Sequence, residues 1–254
     1  MNLNEYQKLK RQREKDLEGK PQRKLCLSCY RTKNSCLCKL VKPFNTKIRY
    51  ILLIHPMEAK KERNGTGRLT HMALKNSEIL MGINFDDERP LRRILDNPQN
   101  DCYILYPGKQ SLDLSDTYHS TRMNKKVEAL KGKEQIIIFL IDATWSCAKK
   151  MMRESTCLHN LPKVSFSPRK KSLFIIKQQP DPLCLSTIEA AYEVINCLHK
   201  EQKRPHENLL DILEGLVQFQ ITCMNDPNKK GYRRSSFKNP EKRNVTKFKR
   251  KLFF

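Results

Sequence analysis

The sequence predicts an α/β fold, a mostly parallel sheet with helices on both faces, preceded by a small cysteine-bearing module. Three observations carry that reading. Short, nearly continuous apolar runs, above all Ile136–Ile141 (IIIFLI) and Ile48–Ile54 (IRYILLI), suit strands buried on both faces. Stretches with helical spacing alternate with these runs, as crossover helices covering a parallel sheet would. Four cysteines crowd into residues 26–38, ahead of the first strand.

Taken in order, residues 1–24 alternate charge with few apolar side chains and read as a frayed helix or a disordered arm. A linker with Pro43 and Asn45 follows the cysteines. Ile48–Ile54 is the first strand. Gly67–Met81 places Leu69, Met72, Ala73 and Leu80 at helical spacing. Cys102–Tyr106 is the second strand, and Val127–Leu130 ends a helix. Ile136–Ile141 is the third strand, Ala143–Arg153 a helix, and Ser172–Ile176 a fourth strand. Thr187–His199 aligns Ile188, Ala191, Tyr192, Ile195 and Leu198 on one face, and a last helix spans Asn208–Met224. The tail beyond Asn225 has little periodicity and reads as disordered until RNA orders it. The expected division is a basic flexible arm (1–25), a four-cysteine module (26–42), an α/β domain (43–224) and a basic flexible tail (225–254).

The chain has 254 residues, 38% of them hydrophobic, which suits one substantial domain with small attachments. Its formal net charge of +23 divides into +4 over residues 1–25, +10 over 227–254 and +9 in the body. Lys and Arg in such excess release counterions from phosphates, so a nucleic acid is the expected partner; a solvated basic tail is the bland alternative. The first 25 residues hold no apolar core segment, and no run approaches the roughly 20 residues that span a bilayer. Ten cysteines without an export signal imply a reducing, cytoplasmic setting in which clustered thiols bind metal rather than form disulfides.

Cys26, Cys29, Cys36 and Cys38 have the spacing C-x2-C-x6-C-x-C. Two close pairs joined by a polar, turn-prone stretch can supply the four soft ligands of a structural zinc ion. The other six cysteines read as core thiols. In open parallel sheets ligands bind beyond the carboxyl ends of the strands. There the sequence places His55-Pro56-Met57-Glu58 and Asn64–Arg68, then Pro107-Gly108, then Asp142-Ala143-Thr144-Trp145, then Gln178-Gln179-Pro180 and Leu185–Glu189. Polar and Gly/Pro-rich residues thus fall where an active site belongs. Asp142 reads either as the cap of the next helix or as a carboxylate that removes a proton from a substrate nitrogen. Trp145, the only tryptophan, reads as core or as a stacking surface. Ser186–Glu189 fits a capping box, whose helix start also offers free N–H groups to an anion.

Together these motifs resemble the DTW-domain family, a relative of the TDD superfamily. The resemblance rests on the four cysteines, His55-Pro56-x-Glu58, Thr66-Gly67-Arg68, Tyr106-Pro107-Gly108, Asp142-x-Thr144-Trp145 and Leu185-Ser186-Thr187-x-Glu189-Ala190, across about residues 25–224. It implies a SPOUT-like fold with a C-terminal knot. It implies a tRNA-uridine aminocarboxypropyltransferase, which moves the 3-amino-3-carboxypropyl group of S-adenosylmethionine to uridine N3, with tRNA as partner and no obligate protein partner. By the same resemblance Asp142, Thr144 and Trp145 are catalytic. Thr66, Pro107, Gly108, Leu140, Leu185, Ser186 and Thr187 line the S-adenosylmethionine pocket. Arg68 and Lys177 bind its carboxylate or a tRNA phosphate. The family's Arg before Gln-Pro is absent; the segment here is Lys177-Gln178-Gln179-Pro180. Two other readings stand beside this one: an RNA methyltransferase on the same fold, and a non-enzymatic zinc-ribbon RNA-binding protein.

Overall fold

In the computed structural model, residues 2–17, 24–61, 65–176, 181, 183–198 and 204–225 are described. The strands are β1 (Arg49–Ile54), β2 (Ser77–Met81), β3 (Asn100–Leu105), β4 (Leu112–Asp113), β5 (Gln135–Asp142) and β6 (Lys163–Ser165). They form one sheet in the order β2-β1-β5-β3-β6-β4, with every neighbouring pair parallel. The helices are α1 (Leu3–Leu17), α2 (Pro56–Lys61), α3 (Thr66–Ala73), α4 (Arg89–Leu95), α5 (Thr117–Ala129), α6 (Trp145–Glu154), α7 (Thr187–Leu198) and α8 (Asn208–Asn225). The chain divides into two compact units, Met1–Cys36 and Leu37–Phe254.

The apolar runs end up in the middle of the sheet because both of their faces are covered. Alternate residues serve two cores. Tyr50, Leu52 and Ile54 of β1 join Ile136, Ile138 and Leu140 of β5 in one core, with Leu69 of α3, Ile188 and Ile195 of α7 and Leu213 of α8. Ile51 and Leu53 join Ile137 and Phe139 in the other, with Leu91 and Ile94 of α4 and Met151 and Met152 of α6. From Tyr50 to Ile54 and from Ile136 to Leu140 every side chain joins one core or the other, so a nearly continuous apolar run is what the two-sided burial requires. Each such side chain contributes roughly 1.5–3 kcal/mol when removed from water.

The structure corrects two elements. The helix expected through Met81 ends at Ala73, and Ser77–Met81 is strand β2. Asn76 makes the break: its amide donates to the carbonyls of Thr46 and Ile48, both at 2.6 Å, so the chain turns there. The strand expected at Ser172–Ile176 does not form. Phe174 is buried, but Ile175 is 72% exposed and among the described residues no strand pairs with the segment. Its place beside β3 is taken by β6, a three-residue strand whose Val164 meets Leu105 of β3 in register. The knot expected at the C-terminal side depends on the path between β6 and α7, which includes residues 177–180 and 182, outside the described residues. The basic tail from 226 onward lies outside them too.

The stretch after the cysteines is fastened to α8. Asn208 accepts a hydrogen bond from the Lys42 N–H at 2.8 Å and donates to the Leu40 carbonyl at 2.9 Å. Leu37 belongs to the core that contains Leu213 and Leu216 of α8. Gly215 leaves room for this stretch, since a Cβ there would stand 2.3 Å from the Leu40 Cδ1. Among the described residues no helix is long and apolar enough to cross a membrane.

Candidate active site and metal centre

The carboxyl edge of the sheet gathers most of the motif residues. β1 and β5 end together, with Ile54 opposite Asp142, and the His55 N–H donates to the Asp142 carbonyl at 3.1 Å. The Asp142 side chain is buried, the residue being only 6% exposed. Its Oδ1 accepts from the Thr187 hydroxyl at 2.6 Å. On the other side lies Gly67, where an added Cβ would stand 2.3 Å from Oδ2 and 2.6 Å from Cγ. The first turns of α3 and α7 thus press on the same carboxylate.

Asp142 does not cap the following helix. Thr144 is the N-cap of α6, its hydroxyl accepting from the Cys147 N–H at 3.4 Å. Trp145 is not core either: it opens α6 and is 40% exposed. The bland readings of both residues are therefore set aside, and a buried carboxylate stands beside an accessible indole-bearing turn. Glu189 keeps its structural reading. It is buried and accepts from the Ser186 N–H at 2.8 Å, the Ser186 hydroxyl at 2.5 Å, the Ser172 hydroxyl at 2.8 Å and the Leu173 N–H at 2.6 Å. That carboxylate fixes the start of α7 and, with it, the Thr187 hydroxyl.

The remaining motif residues are distributed around this edge. Pro107 and Gly108 are exposed just beyond β3, the neighbour of β5. The Gly108 carbonyl accepts from the N–H and hydroxyl of Ser111 at 3.0 and 2.7 Å. Leu140 is buried in register between Leu52 and Leu105, in the core shared with α3 and α7. Thr66 is buried at the start of α3, and its carbonyl accepts from Thr70 at 2.9 Å. Arg68 is half-buried in the same turn; burial first, and then its charge, holds His71 below the ordinary histidine range. Leu185 and Ser186 are half-buried ahead of α7. Lys177 lies outside the described residues. Sequence reasoning missed what Gly67 does: the signal available was a glycine at a helix start, a residue type used where the backbone must come close to another group.

Two open hollows, of about 490 and 480 Å³, lie elsewhere, around Asn84–Pro90 and around Asp86, Arg92 and Thr156–Asn160. Neither touches a motif residue. The Asp86 carboxylate in the second is already engaged by the N–H groups of Cys157 and Thr156 and by the Thr156 hydroxyl, chiefly the first, which hold its carboxyl down at about 2.

The four cysteines of the module converge. Their Sγ atoms all lie within 4.8 Å of one another, and Cys29 and Cys36 are 3.8 Å apart. A tetrahedral ion with bonds of about 2.3 Å to sulfur needs S···S edges of about 3.8 Å, so the donor set fits zinc in size as well as in softness. The local fold explains the convergence. Tyr30 adopts φ +55°, its N–H donates to the Cys26 carbonyl at 2.9 Å, and the Cys26 N–H donates to the Arg31 carbonyl at 2.7 Å. Buried Arg31 then donates to the Ser35 carbonyl at 2.7 Å, bracing the turn before Cys36. Of the other cysteines, Cys102, Cys157 and Cys197 pack against the cores. Burial pushes the Cys102 thiol up to about 11 and Cys157 to about 12, as inert core thiols require.

A family model described as "DTW domain" matches residues 23–221. A protein of Drosophila melanogaster named tRNA-uridine aminocarboxypropyltransferase 2 is 30% identical over 208 residues, covering 78% of this chain and 76% of its own. Proteins of the same name from Macaca fascicularis and Mus musculus are 26% and 28% identical, each covering 81% of this chain. The chain spans 66% of the length of these two, just under two thirds. No solved structure matches the chain significantly.

Proposed function

Because the chain belongs to the DTW-domain family, we propose that it transfers the 3-amino-3-carboxypropyl group of S-adenosylmethionine to N3 of a uridine in tRNA and releases methylthioadenosine. The names of the relatives support the substrate and the transferred group. The observation that carries the reading is the buried Asp142 carboxylate at the carboxyl edge of the sheet, held by Thr187 and hard against Gly67.

The donor supplies a carbon activated by a neighbouring sulfonium. A bond forms between uridine N3 and that methylene as the carbon–sulfur bond breaks, and the electron pair leaves on sulfur as a neutral thioether. The protein therefore has no anion to stabilise at the leaving group. Its work is to align the two reactants and to handle the N3 proton. Asp142 accepts that proton, or the hydrogen bond that orients it. Trp145, 40% exposed, offers an indole on which a base can stack. Thr66, Pro107, Gly108, Leu140, Leu185 and Ser186 line the donor site. Arg68 and Lys177 take the donor carboxylate or a phosphate. The four cysteines hold one structural zinc ion, and with every ligand position filled by the protein that ion has no part in the chemistry. A reducing, cytoplasmic setting keeps cysteines at these positions from pairing as disulfides and so suits metal ligation.

The test is Asp142→Asn. Loss of a proton acceptor is expected to lower turnover by about 10²–10⁴-fold, with tRNA and donor affinity kept. Unchanged uridine modification by this variant would refute the assignment. The second reading, methyl transfer, differs in which carbon of the sulfonium faces the nucleophile, and its by-product would be S-adenosylhomocysteine.

A further inference from the structure

We propose that Thr187 and Gly67 are a positioning pair for Asp142: Thr187 fixes one carboxylate oxygen by donating its hydroxyl, and Gly67 admits the other where any side chain would expel it. The proposal rests on the catalytic reading of Asp142. It gives Thr187 a role different from lining the donor site, and it gives Gly67 a role where none was assigned.

The geometry points to the pair from both sides of the carboxylate. Thr187 Oγ1 lies 2.6 Å from Asp142 Oδ1, although the two residues are far apart in the chain. The threonine is the first residue of α7, and that turn does not float. Glu189 ties Ser186, Ser172 and Leu173 to it through both carboxylate oxygens. The β-branch of threonine further restricts the hydroxyl's direction. Opposite, Gly67 sits in the first turn of α3 between buried Thr66 and Leu69, with the Thr70 hydroxyl bonded to the Thr66 carbonyl. An alanine Cβ at 67 would meet Oδ2 at 2.3 Å, Cγ at 2.6 Å and the Asp142 Cβ at 3.0 Å. Side-chain rotation cannot move that last atom, so the crowding reaches the strand end itself. A short carboxylate on β5 has only two torsions, and both are settled by groups on other elements.

A residue that orients a proton acceptor acts on turnover, whereas a residue that lines the donor site acts on donor affinity. Steady-state kinetics with S-adenosylmethionine varied at saturating tRNA separate the two. Thr187→Val removes the donor while keeping the shape. Its kcat is expected to fall about 10- to 100-fold, the range of a hydrogen bond to a charged group, with donor KM within about threefold. Thr187→Ser restores most of the loss. Gly67→Ala is expected to lose at least as much kcat as Thr187→Val. Should Thr187→Val not fold, Thr187→Ala carries the same comparison. A raised donor KM with unchanged kcat in Thr187→Val would make the threonine a donor-site residue and overturn the proposal. So would a Thr187→Ser variant as impaired as Thr187→Val, or a Gly67→Ala enzyme with wild-type turnover. Asp142→Asn, assayed alongside, keeps the two levels apart. If it is inactive while Thr187→Val and Gly67→Ala turn over normally, the pair alone fails. If it turns over normally, the catalytic reading fails and takes the pair with it.

Discussion

The cysteine module and the carboxyl edge of the sheet are built on opposite plans. In the module the functional atoms come from residues 26–38, and a few turns with local hydrogen bonds bring four sulfurs within 4.8 Å. At the sheet edge the decisive contacts join Gly67, Asp142 and Thr187, which only the packing of α3 and α7 on the sheet brings together. Each region is therefore vulnerable in a different place. The module depends on the identity of its side chains, four sulfurs that could hold a metal ion. The edge depends on the register of strands and the placement of helix starts.

The largest effect should come from taking the ion away. Binding of a structural zinc is worth an apparent 10–16 kcal/mol or so in small zinc modules. Chelation or Cys29→Ser is therefore expected to abolish stoichiometric zinc in metal analysis and to weaken tRNA binding more than binding of S-adenosylmethionine. Titration calorimetry with both ligands checks this. Equal loss of both affinities would show that the module supports the sheet edge as well.

A smaller effect is expected at Asn208, whose side chain fastens the Leu40–Lys42 stretch to the start of α8. Asn208→Ala leaves a backbone donor and an acceptor without their partner and should cost about 1–3 kcal/mol in denaturant unfolding of the α/β unit. Its zinc content should stay at one ion per chain. Loss of zinc in this variant would mean that the module depends on α8 and not on its own turns.

The smallest effect concerns pH. The folded Asp86 carboxyl sits at about 2, below its ordinary 3.8, chiefly through the Cys157 N–H and then through Thr156. A carboxyl lowered by folding contributes stability above the unfolded value and loses it as pH falls through the folded one. Melting temperatures should therefore decline between pH 4 and about 2, and Asp86→Asn should flatten that decline. An unaltered acid slope would show that Asp86 is not held by these bonds.

The same contrast governs what the sequence could tell. β1 and β5 are legible because two-sided burial makes their inner stretches, Tyr50–Ile54 and Ile136–Leu140, almost wholly apolar. The cysteine site is legible because spacing alone closes it. The break at Asn76 was hidden, since Leu69, Met72, Ala73 and Leu80 keep helical spacing across a turn made by bonds to distant Thr46 and Ile48. Ser172–Ile176 misled in the other direction. Its alternation is real, with Phe174 buried between exposed Leu173 and Ile175, but among the described residues no strand lies beside it and Glu189 holds its backbone instead. Thr144, not Asp142, caps α6, and that choice frees Asp142 for a partner on α7 that no local pattern announces.

Transfer of an aminocarboxypropyl group to uridine can be read directly from the products. The zinc-loaded protein is incubated with S-adenosylmethionine and unmodified tRNA, and nucleosides and small products are read by mass spectrometry. The expected result is a uridine heavier by one 3-amino-3-carboxypropyl group, with an equal amount of methylthioadenosine. Methyluridine with S-adenosylhomocysteine, or tRNA left unmodified, would contradict it.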